Sequence, residues 1–209
     1  MKLVSLHRKI ERNSGLLIFG ILVVSSIGGL VQVLPIVLGE AHGTPSAGLV
    51  AYSPLELEGR DIYIRESCST CHTQQVRPLL AEVKRYGPYS RAGEFAYDRP
   101  FLWGSKRTGP DLARIGGKYS DDWQRMHLLD PRAVVQASIM PAYPWLVSRN
   151  ADHGRTIEAR MRALQRLGHP YTDADIAAAP AALEGRTELD ALTAYLQSMG
   201  RSMAGEPQP

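Results

Sequence analysis

The sequence predicts an all-α chain in two parts, a single N-terminal transmembrane helix and a helical domain held outside the membrane. Three observations predict it. The run from Leu16 to Leu38 is uncharged and mostly apolar. The remainder places apolar residues at helical spacing between recognisable caps, with no alternating strand pattern of useful length. Finally, Cys68-Ser69-Thr70-Cys71-His72 has the C-x-x-C-H spacing with which a haem is attached through two thioethers and given a proximal imidazole.

The apolar run comes first. As a helix it spans about 34 Å, enough for a hydrocarbon core of about 30 Å. A cleaved signal peptide is the rival, but its apolar core is shorter and ends in a small-x-small site, which Gly39-Glu40-Ala41 matches poorly. Lys2, Arg8, Lys9 and Arg12 precede the run, whereas Glu40 and His42 follow it, so the positive-inside bias puts the N-terminus in the cytoplasm. Gly20, Ser25, Ser26, Gly28 and Gly29 suit close helix contact, Gln32 offers a hydrogen bond and Pro35 a kink, although glycine and serine are common in all such helices. The expected organisation is residues 1–14 cytoplasmic, 15–39 transmembrane, 40–52 a linker with Gly43, Pro45 and Gly48, 53–203 the outer domain and 204–209 a loose tail.

In the outer domain, Ser53-Pro54-Leu55-Glu56 is a capping-box pattern with proline at the first helical position, and the helix it starts runs up to the cysteine motif. A bare C-x-x-C also fits a dithiol pair or half a zinc site. The first belongs after a strand, and the preceding residues read as helix; the second needs further thiols, and Cys68 and Cys71 are the only cysteines. A carrier haem needs a sixth ligand, and Met140 is the candidate. It lies in Ser138-Ile139-Met140-Pro141-Ala142-Tyr143-Pro144, an extended loop stiffened by two prolines. Met126, Met161 and Met199 fall within apolar stripes as core fillers, and His127, His153 and His169 are the competing ligands. Ser120 caps a short helix and Asp130-Pro131 starts another. Ile157, Met161, Leu164 and Leu167 form a stripe ended by Gly168, and Leu189, Leu192, Tyr195, Leu196 and Met199 mark a last helix from about Thr187 to Gly200.

Composition bounds the function. After the anchor, roughly 150 of the 209 residues remain, enough for one haem domain with an insertion, and the cysteine count leaves no second haem. A net charge of +3 without a basic motif gives no case for nucleic acid. The segment from Arg77 to Lys118 carries nine Lys or Arg against four Asp or Glu; it suits an acidic partner, haem propionates or plain solvation equally.

The order C-x-x-C-H, then Thr108-Gly109-Pro110-Asp111-Leu112, then Met140-Pro141, resembles the class I cytochromes c. That resemblance implies that the Pro110 carbonyl accepts the second N–H of His72. It also implies that the first and last helices cross at a glycine and an aromatic residue, roles filled by Gly59 and Tyr63 facing Leu192 and Tyr195. Further stretches are more specific: Arg85-Tyr86-Gly87-Pro88-Tyr89-Ser90, Gly93-Glu94-Phe95, Arg99 through Leu112, Tyr119-Ser120-Asp121-Asp122-Trp123 and Met140 through Trp145. Together they resemble the monohaem cytochrome c subunit (subunit II) of the cbb-type cytochrome c oxidases, the C family of haem-copper oxidases, over nearly the whole chain.

The resemblance implies an all-α fold of one transmembrane helix plus a class I cytochrome c-like haem domain with an insertion, carrying one covalent haem c. The haem domain then lies in the periplasm, tethered to the bacterial inner membrane. It implies electron transfer from a dihaem cytochrome c subunit, or from soluble cytochrome c, to the low-spin haem b of a catalytic haem b-copper subunit that reduces oxygen and pumps protons. No catalytic residue is then expected in this chain. A calcium ion at the interface with the catalytic subunit, with Ser105 as a contributor, belongs to the same implication. The alternatives are a membrane-anchored cytochrome c shuttle and the small subunit of a nitric oxide reductase.

Overall fold

The computed structural model describes residues 2–38, 44–152 and 154–203. They fall into two compact units, one up to residue 43 and one from Thr44 onward. In the first, α1 (Lys2–Arg12) and α2 (Ser14–Leu38) meet at Asn13, whose side-chain oxygen accepts from the Leu16 amide at 3.2 Å and caps the second helix. The large apolar side chains from Leu16 to Leu34 are exposed, and the 22 residues Ser14–Pro35 have a mean hydropathy of 2.3. A helix apolar on every side finds no partner in water, and at 1.5 Å per residue this one spans about 33 Å. Residue 39, the residues Glu40, His42 and Gly43 from which the polarity and linker were read, His153 and the tail 204–209 lie outside the described residues.

The second unit contains α3 (Pro54–Arg65), α4 (Leu80–Tyr86), α5 (Asp121–Leu129), α6 (Pro131–Val134), α7 (Ile157–Arg166), α8 (Asp173–Leu183) and α9 (Glu188–Ser198). No strand occurs among the described residues; Asn150 and Thr187 make one isolated bridge. The capping box at α3 is formed on both sides, with Ser53 Oγ accepting from the Glu56 amide at 3.3 Å and Glu56 Oε2 accepting from the Ser53 amide at 2.8 Å. The stretch from Thr44 to Tyr52, read as linker from its composition, is laid against the domain. The Ser46 amide donates to Gly93 O at 3.0 Å, Tyr171 donates to Tyr52 O at 2.8 Å, and Ala51 and Tyr52 pack on the core.

The core is organised by α3 crossing α9. A Cβ on Gly59 would lie 1.9 Å from the Ala191 carbonyl oxygen and 2.7 Å from Tyr195 Cβ, so the two backbones touch there. Tyr63 and Tyr195 flank the contact edge to face, with ring centroids 5.5 Å apart. The glycine and the aromatic pair fall where expected, but Gly59 meets Ala191 rather than Leu192, because the close approach selects the smallest side of α9. Charged pairs bind the crossing and tie other helices to it: Arg65 of α3 to Glu188 of α9 at 2.6 Å, Arg125 of α5 to Asp190 of α9 at 2.5 Å, and Arg160 of α7 to Glu58 and Asp61 of α3.

Two expectations change. Met161 and Met199 are buried as core fillers, but Met126 is 52 % exposed, because α5 turns Gln124 and Leu128 inward and leaves Met126 outside. The sequence reading also passed over α8. Its capping box of Thr172 and Asp175 was legible, but Pro180 within the helix breaks the usual signature.

A valine at position 59 has no space against Ala191 and must separate α3 from α9. Gly59→Val should cost about 3 kcal/mol of stability, read as a lowered midpoint in thermal unfolding of the full chain in detergent.

Candidate haem site

The site begins where α3 ends. The Glu66 amide closes the helix on Ile62 O at 2.8 Å, and Ser67 takes a left-handed conformation with φ 60°, which turns the chain sharply into a 3-10 turn over Cys68–Thr70. The His72 amide returns to Cys68 O at 2.9 Å. Both thiols and the imidazole therefore come from one compact turn, and both cysteines are free. Burial pushes the Cys68 thiol up to about 12, with Glu66 adding to the effect.

The loop 107–112 clasps that turn. Gly109 N donates to Cys71 O at 3.0 Å and Leu112 N to Thr73 O at 2.9 Å. A Cβ on Gly109 would lie 2.2 Å from His72 Cε1, so the glycine lets the imidazole ring lie flat on the loop. His72 Nδ1 is 2.8 Å from the Pro110 carbonyl. A carbonyl can only accept, so Nδ1 carries the hydrogen and Nε2 is left with its lone pair. Burial holds the His72 imidazole below its ordinary value, against the raising pull of the Pro110 carbonyl and Asp111. The side chain is thus neutral, oriented and able to bind a metal through Nε2.

Asp111 fixes the loop. Its Oδ2 accepts from Thr73 Oγ1 at 2.5 Å and from the Gln75 amide at 2.8 Å, while Oδ1 accepts from the Ala113 amide at 2.9 Å. Arg107 closes the ring by donating to Thr73 Oγ1 at 2.8 Å, Gln75 O at 2.6 Å and Glu82 Oε2 at 2.8 Å. Sequence reasoning used Pro110 but missed Gly109, Asp111, Thr73 and Arg107 as the residues that hold His72 in place. The signal was present in Thr108-Gly109-Pro110-Asp111, where an aspartate after a turn is a natural acceptor for the amides of a neighbouring segment.

Met140 is half-buried and packs on the core cluster that Cys68, Leu102, Leu112, Leu129 and Tyr143 also touch. Its loop, residues 138–143, has no regular secondary structure and is tied to α5 by the Tyr143 amide donating to Leu128 O at 3.0 Å. Of the competing histidines, His169 is buried between Tyr97 and Tyr171, with ring centroids 5.3 Å and 5.9 Å away. His127 stacks on Trp123 at 4.7 Å. Ser105 is exposed in the loop after Trp103, and among the described residues no three His, Cys, Asp or Glu side chains gather to hold a metal ion. The donor set of two free thiols on one turn, an imidazole with its outer nitrogen already bonded and a half-buried thioether fits haem c. The apolar side chains grouped with Cys68 and Met140 supply the nonpolar surface that a porphyrin requires.

Burial alone would raise the Glu82 carboxyl, but the hydrogen bonds and charges of Arg107 and Arg77 outweigh it and hold Glu82 below the usual carboxylate range. A depressed carboxylate contributes stability that is complete above its unfolded value of about 4.3 and is lost as pH falls through the lower folded value. Glu82→Gln should therefore flatten the acid limb of the stability curve below about pH 4, measured by denaturant unfolding at a series of pH values. Gly109→Ala should push the imidazole off the loop and reduce the yield of chain carrying haem, measured by haem staining after denaturing electrophoresis.

The sequence profile of one protein family, described as cytochrome c oxidase, mono-heme subunit/FixO, matches residues 7–186. No curated protein matches the chain significantly.

Proposed function

The chain belongs to the mono-heme subunit/FixO family of cytochrome c oxidase, and from that premise we propose that it carries one covalent haem c and passes electrons into the oxidase. Cys68 and Cys71 form the thioethers, and His72 and Met140 are the axial ligands. The single observation that carries this reading is the 2.8 Å contact between His72 Nδ1 and the Pro110 carbonyl beside two free thiols, because it orients one imidazole nitrogen and leaves the other open. When bound, the haem supplies a reversible one-electron iron couple, and pairing an imidazole with a thioether favours a higher potential than two imidazoles. The protein's part is to hold the ligands, exclude water with the α3–α9 core and keep His72 neutral. No residue is assigned as an acid, base or nucleophile.

In the assembled oxidase, the subunit takes electrons from a dihaem cytochrome c subunit or from soluble cytochrome c. It hands them to the low-spin haem b of the catalytic haem b-copper subunit, where oxygen is reduced and protons are pumped. The membrane anchor α2 runs through the bacterial inner membrane with α1 and its Lys9 and Arg12 on the cytoplasmic side, which leaves the haem domain in the periplasm. The calcium ion at the interface with the catalytic subunit is part of this reading, with the exposed Ser105 as a contributor.

The complex purified through this chain should give a thioether-type pyridine haem spectrum and contain copper. Non-haem iron in place of copper would assign it to a nitric oxide reductase, and a chain purifying alone and active with soluble donors would make it a shuttle. Met140→Ala should keep the haem attached, abolish the sulfur-to-iron absorption band and lower the midpoint potential in a redox titration.

A further inference from the structure

α1 is built unlike the helix that follows it. Whereas α2 is apolar on every side, α1 sorts its residues by face. At about 100° per residue, Leu6 and Ile10 share one line, which Leu3 extends in the sequence, and Arg8 and Arg12 fall on the opposite side. Lys9 stands at one edge between the faces. His7 stands at the other and pairs with Glu11, one turn on, at 3.1 Å. Leu6 is 56 % exposed, and the exposed Arg8, Lys9 and Arg12 outnumber Glu11 three to one.

Position in the chain supplies the partner. Asn13 is the single non-helical residue between the two helices: its amide closes α1 on Ile10 O at 3.2 Å, and its side chain starts α2 by accepting from the Leu16 amide. The membrane-length apolar stretch begins at the next residue, Ser14, so α1 starts at the face of the bilayer that α2 crosses. A helix of 11 residues is marginal in water. One with an apolar face and a basic face is stabilised by lying flat where headgroups meet acyl chains. There Leu6 and Ile10 leave water, Arg8 and Arg12 face the headgroups, and Lys9 reaches them along its stem. Continued straight into the cytoplasm, α1 would keep Leu6 in water and carry its far end about 16 Å from the surface, beyond a Debye length of about 8 Å.

We propose that α1 is an interfacial helix that lies on the cytoplasmic leaflet and binds its anionic phospholipids, with Leu6 and Ile10 in the acyl boundary and Arg8, Lys9 and Arg12 on the headgroups. Held that way, it fixes the depth at which α2 enters the bilayer. The inference rests on the reading of α2 as an anchor with its N-terminal side in the cytoplasm, and it is independent of the haem.

The test places the full-length chain in vesicles of phosphatidylcholine with or without phosphatidylglycerol and follows amide hydrogen exchange by mass spectrometry. The amides of residues 6–12 should exchange about tenfold slower where phosphatidylglycerol is present. Leu6→Gln with Ile10→Gln exchanges apolar for polar side chains of adequate helix propensity, and it should remove that protection. Arg8→Gln with Arg12→Gln should remove its dependence on phosphatidylglycerol. Equal exchange in the two kinds of vesicle overturns the proposal. So does protection that survives Leu6→Gln with Ile10→Gln, which would make α1 a straight extension of α2, and so does protection that appears only in the purified oxidase complex, which would give the apolar face to a protein. Fast exchange across Ser14–Pro35 in either vesicle would instead strike the reading of α2 as an anchor, which separates the two failures.

Discussion

The hydrogen bond from His72 Nδ1 to the Pro110 carbonyl is the constraint on which the site depends. An imidazole free to spin would present either nitrogen, in either tautomer, at any angle. Bonding Nδ1 to a backbone acceptor removes all three freedoms at once. The acceptor must itself be immobile, and here the Asp111 carboxylate holds it by binding Thr73, Gln75 and Ala113. Two segments distant in sequence thus become one rigid piece, with Gly109 absent of any side chain that would part them.

That piece is carried by the crossing of α3 and α9. The cysteine turn follows α3 directly, so any error in where α3 sits is passed to the thiols and the imidazole. Contact between Gly59 and the α9 backbone fixes the helix position, and the buried pair of Tyr63 and Tyr195 fixes its rotation. The link continues to the site itself, because Tyr63 donates to the His72 carbonyl at 3.2 Å and Tyr195 exchanges hydrogen bonds with Gln74. The aromatic residues that pack the helices therefore also hold the residues on either side of Thr73, His72 through its carbonyl and Gln74 through its side-chain amide.

Much of this was legible in the sequence, for a physical reason. The C-x-x-C-H spacing, a helix cap and a membrane-length apolar run are local features, so the turn of Cys68, Cys71 and His72, the Ser53 cap and the apolar helix announce themselves in consecutive residues; the haem attachment proposed for that turn rests on its spacing. The clasp formed by Arg107, Asp111 and Glu82 is not local; each of its members reads as a solvated charge until the fold brings them together. The same holds for residues 44–52, whose glycine and proline content looks like a tether but whose Tyr52 is recruited by Asp98 at 3.1 Å and by Tyr171. Met126 was misread for the opposite reason. Helical spacing says which residues share a face of α5, but not which face the core selects.

The distribution of satisfied polar groups separates the two sides of the ligand set. Around His72, the carboxylate of Asp111, the hydroxyl of Thr73 and the guanidinium of Arg107 all have partners within the chain. On α5, Gln124 Nε2 and His127 Nδ1 are buried without any. Folded chains keep such atoms rarely, because each one forfeits its bonds to water and gains nothing in return. Gln124 and His127 are three residues apart and so lie on one side of the helix. The ring of groups that holds His72 is closed within the chain, whereas Gln124 and His127 on α5 keep buried polar atoms without a partner, as Trp103 Nε1 does in the segment that meets Gln74. Under the haem reading, the residue proposed as the proximal ligand is oriented by the fold itself, through the Pro110 carbonyl and the hydrogen bonds that Asp111 accepts.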